Sequence, residues 1–177
     1  MKLTKDQKAI EIYAEDISGN VINLKSYRGK KILLTFYRGA SCPFCNLRMH
    51  EVIKKANHFR EKGLEIIAFF MSEREEILKY AGKQNPPFPI IPDPKKIYYS
   101  KYGLEKSLVG KIKAMFRINV VFRIFTNGFF SLKALKDDNT LPGDFLINEE
   151  GIIEHTYYGK DFSDHISFNE ITNWVEN

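Results

Sequence analysis

At 177 residues, with 44% hydrophobic and 28% charged residues, the chain has the length and balance of one folded domain, 1–177, and is too apolar for extended disorder. Its formal charge of +5 is uneven: stretch 105–136 holds seven basic residues against one acid, and no recognised nucleic-acid reader motif accompanies that patch. No apolar run approaches the roughly 18 residues of a membrane span, and the charged opening residues 1–6 lead into no secretory h-region, so the expected location is the cytoplasm.

In chain order, residues 10–13 alternate as a strand does, Ser18-Gly19-Asn20 is a turn, and 21–24 is a second short strand. The nearly unbroken apolar run 31–37 suits a strand covered on both faces. Leu47, Met49, Val52, Ile53, Ala56 and Phe59 then recur at helical spacing until Lys62-Gly63. Residues 64–70 form the next strand. Ser72 with Glu75 makes a capping-box pattern for a helix through Ala81. Prolines confine 88–91 to a short strand, 95–102 reads as a helix ended by Gly103, 144–158 as a hairpin, and 167–176 as a closing helix. Strands alternating with helices predict an α/β fold with a mixed, mainly parallel central sheet.

The chemistry concentrates in Cys42-Pro43-Phe44-Cys45, the chain's two cysteines, placed where a buried strand gives way to a helix. Unpaired N–H groups and the positive end of the helix dipole stabilise a thiolate there. The spacing lets the two sulfurs close a disulfide, and Pro43 fixes the first helical turn without wasting a donor. An inert thiol pair and half of a zinc site are the competing readings. Zinc usually needs four ligands, yet there is no second CxxC and the four histidines show no metal-type pairing. A redox centre without bound metal or cofactor is the expectation. Arg38 and Arg48 are nearby cations that would favour a thiolate or bind a peroxide, or else solvated surface groups. His50 and His155 have no evident acid–base partner; Asp161, Asp164 and His165 read as capping or preceding the last helix rather than as a catalytic dyad.

Asp16-Ile17-Ser18-Gly19-Asn20-Val21-Ile22-Asn23-Leu24, Gly29-Lys30 and Phe36-Tyr37-Arg38-Gly39, with Pro92-Asp93-Pro94, Tyr102-Gly103 and the run from Phe145 to Gly151, resemble the alkyl hydroperoxide reductase/thiol-specific antioxidant family, the peroxiredoxins and their relatives, in a branch carrying CxxC. The resemblance spans most of the chain outside about 105–140. It implies a thioredoxin-like fold with an N-terminal strand extension and a helical insert around 105–136, an antioxidant thiol oxidoreductase, and an external reductant such as thioredoxin. In the family register the attacking cysteine lies nine positions after Phe36, which is Cys45, with Cys42 resolving; thioredoxins attack with the first cysteine, Cys42. The family's later-strand arginine is missing, and Leu141-Pro142-Gly143-Asp144-Phe145 resembles thioredoxins, making Pro142 either a cis-proline facing the CxxC or an ordinary loop proline.

The substrate is then a hydroperoxide or a protein disulfide; a third reading is a redox sensor whose CxxC state controls the basic segment. That segment, with Leu108, Ile112, Met115 and Phe116 at helical spacing, reads first as a helix pair packed on the sheet edge with a solvated basic rim. A homodimer or partner interface and peripheral contact with anionic lipid are its alternatives.

Overall fold

The computed structural model describes residues 1–129, 131 and 138–176. The basic segment's Phe130, Lys133 and Lys136 lie outside the described residues. Strands β1 (Tyr13–Glu15) and β2 (Val21–Asn23) make an antiparallel hairpin. Its turn is set by the Asp16 carboxylate, which accepts from the Ser18 and Asn20 amides at 2.8 and 2.9 Å, and by Gly19 at φ +87°. The first strand thus begins three residues later than the alternation predicts, because Ile12 is drawn fully into the core.

The main sheet has the order β5 (Ile90–Pro92), β4 (Leu64–Phe70), β3 (Lys31–Phe36), β6 (Gly143–Ile147), β7 (Ile153–Tyr158). Pairings β5–β4 and β4–β3 are parallel, and β3–β6 and β6–β7 antiparallel, so four of the five strands run the same way and β6 runs against them, the mixed, mainly parallel sheet expected: the late hairpin occupies the side of β3 away from β4. Alternation along β3 splits the core. Leu34 and Phe36 face Ile12, Phe69, Tyr99, Tyr102 and Phe145, with Phe36 stacked on Phe69 at 4.8 Å between ring centroids. Leu33 faces Val52, Phe59 and Trp174 on the other side, under α1 (Pro43–Glu61) and α6 (Phe168–Glu176). Fully burying one such side chain stabilises by about 1.5–3 kcal/mol.

Local chemistry settles the shorter helices. α2 is only Arg74–Lys79, because the Ser72 hydroxyl that its sequence pattern assigns to a cap is used elsewhere. α3 (Ile97–Lys101) starts after Lys96, a residue in the left-handed region, and the Asp93 carboxylate accepts from the amides of Ile97 and Tyr98 at 2.8 and 2.7 Å. α6 opens on a reciprocal Ser167–Glu170 box.

The insert forms α4 (Leu108–Met115) and α5 (Ile118–Thr126), but not with the expected face inward. Ala114 and Ile124 are buried, whereas Leu108, Ile112 and Phe116 are 58–78% exposed. Close approach at Gly110 decides this: a Cβ there would lie 2.6 Å from Leu141 Cδ2 and 3.1 Å from the Lys160 carbonyl. The small residues Gly110 and Ala114 therefore make the contact, and the bulky stripe turns outward.

Candidate active site

β3 ends at Phe36, and the loop from Tyr37 carries the chain to Cys42, the N-cap of α1 with extended backbone angles. Pro43 occupies the first helical turn as expected. Four bonds hold the loop: Cys42 N–H donates to the Gly39 carbonyl at 3.0 Å, the Asn46 side-chain amide donates to the carbonyls of Ala40 and Cys42 at 2.7 and 2.9 Å, and Ala40 N–H donates to Ser72 Oγ at 2.9 Å. Both ends of the Ala40–Ser72 bond are buried. Ser72→Ala is therefore expected to cost about 1–3 kcal/mol, the penalty of an orphaned buried donor, measured by urea unfolding, and to raise the exposure of the cysteines to a thiol reagent.

Cys42 and Cys45 are both in the thiol form and fully buried. One residue touches both sulfurs. The Arg38 backbone N–H donates to Cys45 Sγ at 3.3 Å, and Arg38 Nη1 donates to Cys42 Sγ at 3.2 Å. This arginine is itself buried and tightly held. Its Nε donates to the Thr140 carbonyl at 3.1 Å, its Nη2 to the Asp138 carbonyl at 2.6 Å, and its guanidinium lies 3.3 Å above the Phe162 ring. The Asp138 carboxylate takes Lys96 and Lys106 at 2.7 and 2.8 Å. Burial opposes its charge, but those two lysines and Thr140 outweigh burial and hold the carboxyl well below the usual range. Burial, and then the neighbouring Cys42, push the Cys45 thiol upward, while Arg38 pulls the other way without prevailing.

Behind this layer lies a polar group that sequence reading missed. Asp144, on β6, faces Thr35 across the strand pair, and Thr35 Oγ1 donates to it at 2.6 Å. His165 Nδ1 lies 3.0 Å from both carboxylate oxygens, and Ile166 N–H donates at 2.8 Å. His165 precedes the last helix, as its sequence position implies, but its ring turns to Asp144 and packs 5.2 Å from Tyr37, whose hydroxyl is pushed upward first by burial, with Asp144 and Cys45 adding to the shift. The available signal was an acid inside an otherwise apolar strand, which must find partners when buried.

The other expected residues spread out. Among the described residues no peptide bond is cis, so Pro142 is trans; its carbonyl accepts from Gly159 N–H at 2.9 Å, and it lines a cavity of about 270 Å³ with Lys2, Leu104 and Tyr158. It has the role of a loop proline. Arg48 is not a solvated surface group: it donates to the Ile166 carbonyl at 2.6 Å and lies 3.9 Å over the Phe168 ring. Asp161 pairs with Arg117 at 2.7 Å, and Asp164 accepts from Tyr157 and from the Lys160 amide. His50 packs near Phe129 and His155 near Trp174.

The chain is 22% identical over 163 residues to peroxiredoxin Bcp of Escherichia coli, covering 91% of this chain and 88% of that protein. It is 30% identical over 99 residues to the thiol-disulfide oxidoreductase ResA of Halalkalibacterium halodurans, covering 55% of this chain and 56% of that one. The crystal structure of peroxidoxin BcpB from Mycobacterium tuberculosis superposes with a TM-score of 0.67 at 13% identity, over 97% of this chain and 92% of the other, a likeness of fold. Residues 6–156 match the AhpC/TSA family, and the chain belongs to that family, as a thiol-dependent oxidoreductase on a thioredoxin-like fold.

Proposed function

We propose that the chain reduces small hydroperoxides through a Cys42/Cys45 dithiol–disulfide cycle, with Cys42 as the first sulfur to react. The observation that carries this is Arg38, whose guanidinium bonds Cys42 while its backbone amide bonds Cys45. Only a thiolate attacks. The helix N-terminus and the guanidinium both stabilise negative charge on the Cys42 sulfur, whereas burial and Cys42 itself disfavour charge on Cys45. The family register favours the opposite order, with Cys45 attacking. Full burial of both sulfurs favours a small oxidant over the large face of a folded protein disulfide. Arg38 also supplies a guanidinium where the family's later-strand arginine is missing.

In the cycle, the Cys42 sulfur attacks the terminal oxygen of the hydroperoxide and the O–O bond breaks. The alkoxide leaves and takes a proton from solvent, and Cys42 is left as a sulfenic acid. Cys45 then displaces the hydroxyl; its own proton leaves with that hydroxide as water, and the disulfide forms. An external dithiol of the thioredoxin type returns both thiols. The test uses Cys42→Ser and Cys45→Ser with substoichiometric hydrogen peroxide and a sulfenic-acid-trapping reagent read by peptide mass spectrometry. Cys45→Ser should accumulate label on Cys42, and Cys42→Ser should react no faster than free cysteine. Rapid labelling of Cys45 in Cys42→Ser would restore the register's order. Wild-type peroxide consumption at the rate of free cysteine, alongside insulin-disulfide reduction, would move the protein to a disulfide reductase.

A further inference from the structure

Six large apolar side chains on the two consecutive insert helices, Leu108, Ile112, Met115, Phe116, Ile118 and Phe122, are 58–78% exposed. They fall at helical intervals on the side of each helix opposite the buried Ala114 and Ile124. Monomeric soluble proteins rarely leave more than a few hundred Å² of contiguous apolar surface open. Two clefts beside these helices are bordered in part by cations. Lys54 and Lys55 of α1 border a cleft of about 740 Å³ with Arg48, Arg123 and Asn127, and Lys79 and Lys83 border another with Gly128 and Phe129. The acids nearby are already engaged: Glu51 with Arg123, Asp161 with Arg117, Glu105 with Lys2.

We infer that the α4–α5 hairpin seats this protein on an anionic lipid surface, its apolar side chains entering the headgroup boundary and the surrounding lysines meeting lipid phosphates. The charge selects this occupant. A second copy would bring the same cations against the same face, and an uncharged apolar partner would leave the flanking lysines unmatched. Protruding Leu, Ile, Met and Phe on short helices with a cationic border is the composition of an interfacial helix. None of the described helices is long and apolar enough to cross a membrane, so the contact is peripheral, and attraction to anionic headgroups weakens as salt rises.

The experiment is co-sedimentation of the full chain with phosphatidylcholine vesicles, with and without one-third phosphatidylglycerol, repeated for Ile112→Ser/Phe122→Ser and for Lys54→Glu/Lys55→Glu. Circular dichroism and peroxide turnover without vesicles verify the fold. The wild type should bind the anionic vesicles and release with salt, and either double variant should bind at least roughly tenfold more weakly, as loss of two inserted side chains or reversal of two charges requires. Wild-type protein that stays in the supernatant overturns the inference. So does binding unchanged in the serine variant, which would mean charge alone. A wild-type dimer by light scattering that becomes monomeric in the serine variant would assign the face to a second copy instead.

Discussion

Replacing Arg38 with methionine should lower the rate of peroxide reduction on the order of 10²-fold, the usual consequence of removing one preorganised donor from a reacting centre. The guanidinium donates to Cys42 while the backbone amide of the same residue donates to Cys45. Methionine fills much of the volume and stays over Phe162, but it cannot stabilise a thiolate or polarise the O–O bond. The pH profile of thiol alkylation should move to higher pH, because a cation that favours the charged sulfur has been lost. Arg38→Lys should fall between the two. It keeps the charge but cannot reach Thr140, Asp138 and Cys42 together as the fork does. Stopped-flow peroxide kinetics well below the melting temperature of each variant make the comparison, so that lost stability is not read as lost chemistry. An Arg38→Met protein with wild-type rate and pH profile would remove Arg38 from the site and leave the helix N-terminus as the source of reactivity.

The CxxC could be read from the sequence because its physics is local: a buried strand, a turn and a helix start are all written within a dozen residues. The partner cation was harder. An arginine is missing from the later strand, where the resemblance looks for it, yet one reaches Cys42 from Arg38, four positions upstream. Nothing in the local pattern says whether a long side chain folds back under Phe162 or out to solvent; that depends on carbonyls at Asp138 and Thr140, a hundred residues away. Ser72 shows the same limit from the other side. Its spacing to Glu75 satisfies a helix-capping rule, but the hydroxyl is needed at Ala40 and the helix starts without it. For the insert, periodicity gave the right helices and the wrong face, because the choice rested on the close fit of Gly110 rather than on hydrophobicity. His165 reads from the sequence only as a residue at the approach to the last helix because its partner, Asp144, lies on a strand twenty-one positions earlier.

Asp144 carries the largest expected stability effect. It is fully buried and receives Thr35 Oγ1, Ile166 N–H and His165 Nδ1 around one carboxylate. Asp144→Ala should destabilise by about 3–5 kcal/mol, since removing one partner of a buried polar set leaves the others unsatisfied. A combined Asp144→Leu/His165→Leu protein should lose less than Asp144→Ala, because it removes both partners together. The pH dependence has a definite sign. Burial works against the charged carboxylate, but His165, Arg48 and Thr35 prevail and hold it below the ordinary range. A carboxyl whose pKa is lower folded than unfolded stabilises fully above the unfolded value, about 3.9, and that stabilisation is lost as pH falls toward the folded value. Urea unfolding of wild type and Asp144→Asn should therefore differ most at neutral pH, with the gap closing below about pH 4. A gap that is constant with pH would show that shape, not charge, holds this position. The consequence reaches the site as well, since Tyr37 packs on His165 on one side and joins the cluster of Cys42 and Cys45 on the other. Loosening Asp144 should speed alkylation of both cysteines by a neutral thiol reagent, through greater exposure, even as the protein becomes easier to unfold.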